Sequence, residues 1–125
     1  MSNLFKNCSS LLSLENILKW VESNVIYMNS IFSGCISLSS LESISNWNIS
    51  KVNEMELMFN DCSSIVSLKP ISKWNVKNLK NVNSIFSNCF SLSSLEPILN
   101  WNANIISQNK NIYEHCFQII DIPKE

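Results

Sequence analysis

Arginine and threonine are absent from this chain, and glycine occurs once. Without arginine there is no bidentate fork for phosphate or guanine. With a single glycine there is no Gly-rich loop to cradle a nucleotide. Charged residues make up only 15%, net charge is −1, and the sole histidine has no nucleophile signature beside it, so no catalytic constellation stands out. Lys51, Lys69, Lys73, Lys77 and Lys80 gather in the middle, but Glu54, Glu56 and Asp61 lie among them. That mixture reads as a solvated face, and nucleic acid is not an expected partner. No apolar run approaches the length of a membrane span. Met1 to Ser10 shows no basic region followed by an apolar stretch, so no secretory signal is visible and an intracellular location is favoured over the cell surface. Cysteine pairs of the C-x2-C kind are also missing, which argues against zinc. No cofactor or metal is expected, and none of these features points to an enzyme.

What is present is a spacing. Cysteines fall at Cys8, Cys35, Cys62, Cys89 and Cys116, tryptophans at Trp20, Trp47, Trp74 and Trp101, and aromatics at Phe5, Phe32, Phe59, Phe86 and Tyr113. All keep a 27-residue register without insertion. Self-similarity at this period marks units that bury their apolar faces only against their neighbours. The chain is thus expected to be one domain, residues 1–125, with rungs near 1–27, 28–54, 55–81 and 82–108 and a partial one over 109–125. With 46% apolar residues in register, it has the material for a core.

Within the unit 28–54, apolar residues stand at Ile31, Phe32, Cys35, Leu38, Leu41, Ile44, Trp47 and Val52, mostly three apart. This fits neither a 3.6-residue helical period nor strict strand alternation. It suggests short extended pieces joined by corners, a β-rich solenoid of about 4.5 stacked units with short parallel strands. One strand is expected around Ser40-Leu41-Glu42 and its relatives, the other over Val52 to Phe59 and Leu79 to Phe86. Pro70 and Pro97 would stop the first, since proline donates no hydrogen bond. The residue before each cysteine (Asn7, Gly34, Asp61, Asn88, His115) is of a type that tolerates positive φ, which predicts a left-handed turn feeding the thiol inward.

The cysteines read as a reduced, buried ladder, although rungs about 4.8 Å apart do not exclude disulfides on distance. The tryptophans read as core, with carbohydrate stacking on an exposed indole row as the alternative. Asn48, Asn75 and Asn102 are placed to cap backbone groups at the bend that follows each indole.

The cassette Met58-Phe59, Cys62, Leu68, Ile71, Trp74-Asn75 resembles the BspA-like leucine-rich repeats, above all the 27-residue variant grouped as a mycoplasma family of unknown function. The likeness spans essentially the whole chain. It implies a right-handed, leucine-rich-repeat-like coil used in protein binding and adhesion, often on microbial or protist surfaces, and brings no catalytic residues.

Positions free of the core are candidates for contact. Glu15, Glu42, Lys69 and Glu96, beside Ser13, Ser40, Ser67 and Ser94, form a candidate partner-binding face. Toward the ends, the first unit carries the apolar Leu12, Ile26 and Tyr27, where copies elsewhere are largely polar, as at Asn53 and Glu54, and the last unit carries Phe117 and Ile120. Stacked units need polar caps, so the ends are expected to be covered by a partner protein, a larger assembly or another copy. The functional expectation is a non-enzymatic interaction or scaffold module, with a microbial or protist surface adhesin of the BspA-like type as the alternative.

Overall fold

A computed structural model of the chain describes residues 2–12 and 24–119. In element order it has three 3-10 turns, Glu42–Ile44, Lys69–Ile71 and Glu96–Ile98, and one short helix, α1, Ala103–Gln108.

The expected β-rich solenoid is not what forms. Among the described residues there is no strand and no sheet, only the isolated parallel bridges Tyr27–Glu54 and Glu54–Asn81. The leucine-rich-repeat description, with its short parallel strands, falls with it. The three-residue apolar spacing has a different meaning. Cys35 N–H donates to the Phe32 carbonyl and Leu38 N–H to that of Cys35. In the same way Ile44 donates to Leu41, Trp47 to Ile44 and Val52 to Ile49. Each apolar residue thus closes a tight turn that opened on the apolar residue three before it. The period of three records consecutive turns, and Ser40-Leu41-Glu42 leads into one of them. Pro70 and Pro97 do mark a corner, but as the early positions of the 3-10 turns, where a fixed φ is preorganised and a missing N–H costs nothing.

Along three columns the backbone bonds between units run one way, whereas at the bridges Asn53 and Lys80 N–H return to the Ile26 and Asn53 carbonyls of the unit before. Phe5 N–H donates to the Ile31 carbonyl, Phe32 to Met58, Phe59 to Ile85 and Phe86 to Ile112, at 2.9–3.0 Å. Because Ile31 C=O and Phe32 N–H belong to one peptide group, this is a column of peptides aligned head to tail. A parallel column runs Asn3 to Asn29, Ser30 to Glu56, Leu57 to Asn83 and Ser84 to Lys110. A third runs Asn7 to Ser33, Gly34 to Asn60, Asp61 to Ser87 and Asn88 to Glu114. Here every N–H points toward the next unit and every C=O toward the previous one. A ladder that returned alternate bonds would make a parallel sheet.

Two left-handed residues per unit make that alignment possible. The predicted position before each cysteine is left-handed throughout: Asn7 (φ 62°), Gly34 (77°), Asp61 (62°), Asn88 (62°) and His115 (63°). A second series, four residues earlier, went unread: Asn3, Ser30, Leu57, Ser84 and Asn111, with φ from 56° to 64°. Serine and leucine hide it, since neither favours that region. At Gly34 a Cβ would run into the Asn7 side-chain oxygen, which would have to swing aside.

The core is one continuous cluster, from Met28 through Phe32, Cys35, Leu38, Leu41, Ile44 and Trp47 to their equivalents in later units. Phe5, Phe32, Phe59 and Phe86 stack with ring centroids 5.7–5.8 Å apart, and Trp74 stacks on Trp101 at 6.3 Å. Full burial of each such side chain contributes roughly 1.5–3 kcal/mol.

Candidate partner-binding surfaces

Cysteine and tryptophan hold their places because both carry a donor. Cys35 Sγ donates to the Phe5 carbonyl, Cys62 to Phe32, Cys89 to Phe59 and Cys116 to Phe86, at 3.0–3.2 Å. The Phe32, Phe59 and Phe86 carbonyls already accept a turn bond within their own unit, so the thiol of the next unit takes the second lone pair. Trp74 Nε1 donates likewise to the Ile44 carbonyl at 3.0 Å and Trp101 to Ile71 at 3.3 Å. Trp47 Nε1 is buried with no partner among the described residues, and the carbonyl in its register belongs to Ile17, outside them.

All five thiols are free, four of them buried and Cys8 exposed. Burial is the first cause of weakened acidity in the four buried thiols: Cys35 is pushed up to about 11, Cys62 and Cys89 higher, and Cys116 in the same direction. They are neutral hydrogen-bond donors, poor nucleophiles at ordinary pH. Among the described residues no three His, Cys, Asp or Glu side chains gather as a metal site would require. The Trp47, Trp74 and Trp101 indoles are buried, which takes them out of reach of a stacking sugar, and Trp20 lies outside the described residues.

The first predicted face exists in part. Glu42, Lys69 and Glu96 are exposed at the start of each 3-10 turn. Their backbone N–H groups donate to Ser40, Ser67 and Ser94 Oγ at 3.0–3.2 Å, which fixes each serine rotamer and aims the charged side chain outward. Glu15 and Ser13 lie outside the described residues. Between the second and third units this face holds an open groove of about 700 Å³, lined by Ser40, Glu42, Asn46, Val66, Lys69 and Lys73 among others. Asn48, Asn75 and Asn102 cap the bend behind it as expected, accepting from Ser50, Lys77 and Asn104 N–H. Asn102 is thereby the N-cap of α1.

The predicted end contacts are scattered. Leu12, Ile26, Tyr27 and Phe117 are all exposed, Phe117 most of all at 76%, while Ile120 lies outside the described residues. Phe117 belongs to a flank: its ring stacks on Phe90 at 6.0 Å, and the His115 ring tilts against it at 5.8 Å. Phe90 and Ile36, in the same register just after the cysteine, are exposed too and were missed, although three apolar residues at that position were there to be read. Ile26 and Tyr27 head the column of bridges to Glu54.

The exposed end of the core was missed as well. Leu4 is 49% exposed, whereas its equivalents Ile31, Met58, Ile85 and Ile112 are at most 3% exposed. Cys8 is exposed where Cys35, Cys62 and Cys89 are fully buried, and Phe5 and Leu11 are only partly covered.

At the other end, turn side chains continue the stacking outside the core. Asn88 Nδ2 donates to Asp61 Oδ1 at 2.7 Å, which leaves Asn88 Oδ1 to accept from His115 Nδ1 at 2.9 Å. Glu114 lies 3.8 Å from His115 Nε2.

A family model described as "Mycoplasma protein of unknown function, DUF285" matches residues 1–121. No curated protein and no solved structure matches the chain.

Proposed function

Since the chain belongs to this mycoplasma family of unknown function, we propose, from its own surfaces, that it is a non-enzymatic protein–protein interaction or scaffold module, and that its first-unit end is where a protein partner or larger assembly sits. The observation that carries this reading is the contrast between Leu4 and Cys8, exposed, and the same core positions buried in every later unit. Exposed apolar surface of this kind favours association. The flank row of Phe90 and Phe117 and the alternating charges of Glu42, Lys69 and Glu96 offer further contact area. Among the described residues no helix is long and apolar enough to cross a membrane.

The reading predicts that a photo-reactive leucine at position 4 cross-links to protein when the chain is expressed in the cells it comes from. A chain that stays uncross-linked there, with Leu4 reacting only with water, would remove the basis for it. A second reading, a surface adhesin of the BspA-like type, rests on the cassette from Met58 to Asn75 alone. It predicts the chain on the outer face of intact cells, open to added protease.

A further inference from the structure

Two neighbouring register positions depart from the repeat in a regular way. One lies just after each cysteine, the other three residues further on. Residues three apart share a side of the chain here: Cys35 and Leu38 are both buried, Ile36 and Ser39 both exposed. Over the first four units one column reads Ser9, Ile36, Ser63 and Phe90, and the other Leu12, Ser39, Val66 and Ser93. Every one of these units carries one apolar side chain and one serine on this flank, and the apolar one changes column from each unit to the next. The four apolar side chains are 47–69% exposed. The 27-residue period demands none of this, because the same residue could stand at a given position in every unit.

A serine leaves a hollow beside each apolar bulge, and a surface of alternating bulges and hollows is complementary to itself. Consider a second copy turned about a two-fold axis between the second and third units, its units running the opposite way. Ile36 then meets Ser63 of the second copy, and Val66 meets its Ser39. Further out, Leu12 meets Ser93 and Phe90 meets Ser9. Each bulge falls on a hollow, and each pairing occurs twice. The open groove between the second and third units lies on that axis, with Ser39 and Val66 both in its lining.

Charge selects this orientation. A copy running the same way would also set bulges on hollows, but it would exchange the columns and turn Glu42 and Lys69 toward Ser33 and Asn60. In the opposed orientation Glu42 faces Lys69 of the second copy, and Lys69 faces its Glu42. Both side chains are exposed in the groove wall, and neither has an ion-pair partner among the described residues. On the outer rungs Glu96 comes into the register of Glu15, outside the described residues, so the attraction belongs to the centre of the contact.

We propose that this flank is a dimer interface between two copies of the chain, the second unit of each against the third unit of the other, with Glu42–Lys69 pairs at its centre. It is a second contact surface, independent of the first-unit end. Such a contact is isologous: the same patch serves both copies, and association closes at two. It also covers the exposed apolar row, as surfaces of that kind favour.

Sedimentation velocity of the purified chain over a wide concentration range tests it. The expected result is a monomer–dimer equilibrium that stops at two copies. Ile36→Ser or Val66→Ser removes two bulges from the contact and weakens dimerisation about tenfold or more. Glu42→Lys alone, or Lys69→Glu alone, sets like charges opposite each other twice and weakens it to a similar degree. The double swap restores it. All four side chains are exposed, so the unfolding midpoint of the dilute chain should hardly move, which separates a weakened dimer from a misfolded chain. A chain that stays monomeric throughout, assembly that continues past two copies, a dimer indifferent to the serine variants, or single swaps that the double swap does not rescue would overturn the proposal. So would photo-leucine at position 36 that links in cells only to a different protein. Cross-linking from position 4 reads the first-unit end separately, so either reading can fail while the other stands.

Discussion

At the scale of single residues, the side chains in register are chosen for donors as much as for bulk. Cys and Trp each deliver a hydrogen bond to a carbonyl 30 residues back that already serves a turn. Apolar spacing alone could show that these residues face inward; why they are Cys and Trp became visible only with the carbonyls in place. Trp74→Phe keeps most of the ring packing but strands the second lone pair of Ile44 and is expected to lower stability by about 1–2 kcal/mol in denaturant titration. Leu57 is the strained member of the second left-handed series, whose other members are Asn3, Ser30, Ser84 and Asn111. Leu57→Asn should raise stability by about 1 kcal/mol, because a left-handed backbone costs a residue such as leucine roughly that much; a lower unfolding midpoint would argue against this conformation. The thiols add a pH dependence. Burial raises the folded value of Cys35 from 9.0 to about 11 and moves Cys62, Cys89 and Cys116 the same way, so the folded state holds these protons more tightly than the unfolded one. Their contribution is full below about pH 9 and is lost as pH rises toward and beyond 11. Unfolding midpoints should fall across that window, and at neutral pH a maleimide should label Cys8 well before the other four.

Among the elements, the corners were easier to read than what lies between them. The turn before each cysteine and the Asn caps after each tryptophan were legible because Asn, Asp, Gly and His announce their backbone preferences. The strands were misread because apolar residues three apart are compatible with extended pieces between corners, whereas here Phe32, Cys35 and Leu38 are linked directly by turn bonds. The glycine-poor composition hid the second left-handed series for a related reason. The 3-10 turns offer a check. Pro70 and Pro97 occupy the middle of two of them, and Ser43 holds that place in Glu42–Ile44, with no acceptor for its N–H among the described residues. Ser43→Pro should therefore stabilise the chain by about 0.5–1 kcal/mol by restricting the unfolded state. A clear loss of stability would mean that the three turns are not equivalent.

Over the whole molecule, three peptide columns keep one direction, each N–H entering the following unit, from Asn3, Phe5 and Asn7 to Lys110, Ile112 and Glu114. The 27-residue register showed which residues share a column, as Phe5, Phe32, Phe59 and Phe86 do, whereas the stacked parallel strands expected from it do not form. The direction of the backbone bonds could not be inferred, since it depends on left-handed residues that serine and leucine conceal. That direction is the central claim, and residue-resolved amide hydrogen exchange on dilute chain tests it most directly. The account predicts slow exchange at Phe32, Gly34, Phe59, Asp61, Phe86 and Asn88, whose N–H groups enter the next unit, and fast exchange at Tyr113 and His115, whose groups meet no acceptor among the described residues. Equal exchange rates in the two sets would contradict it.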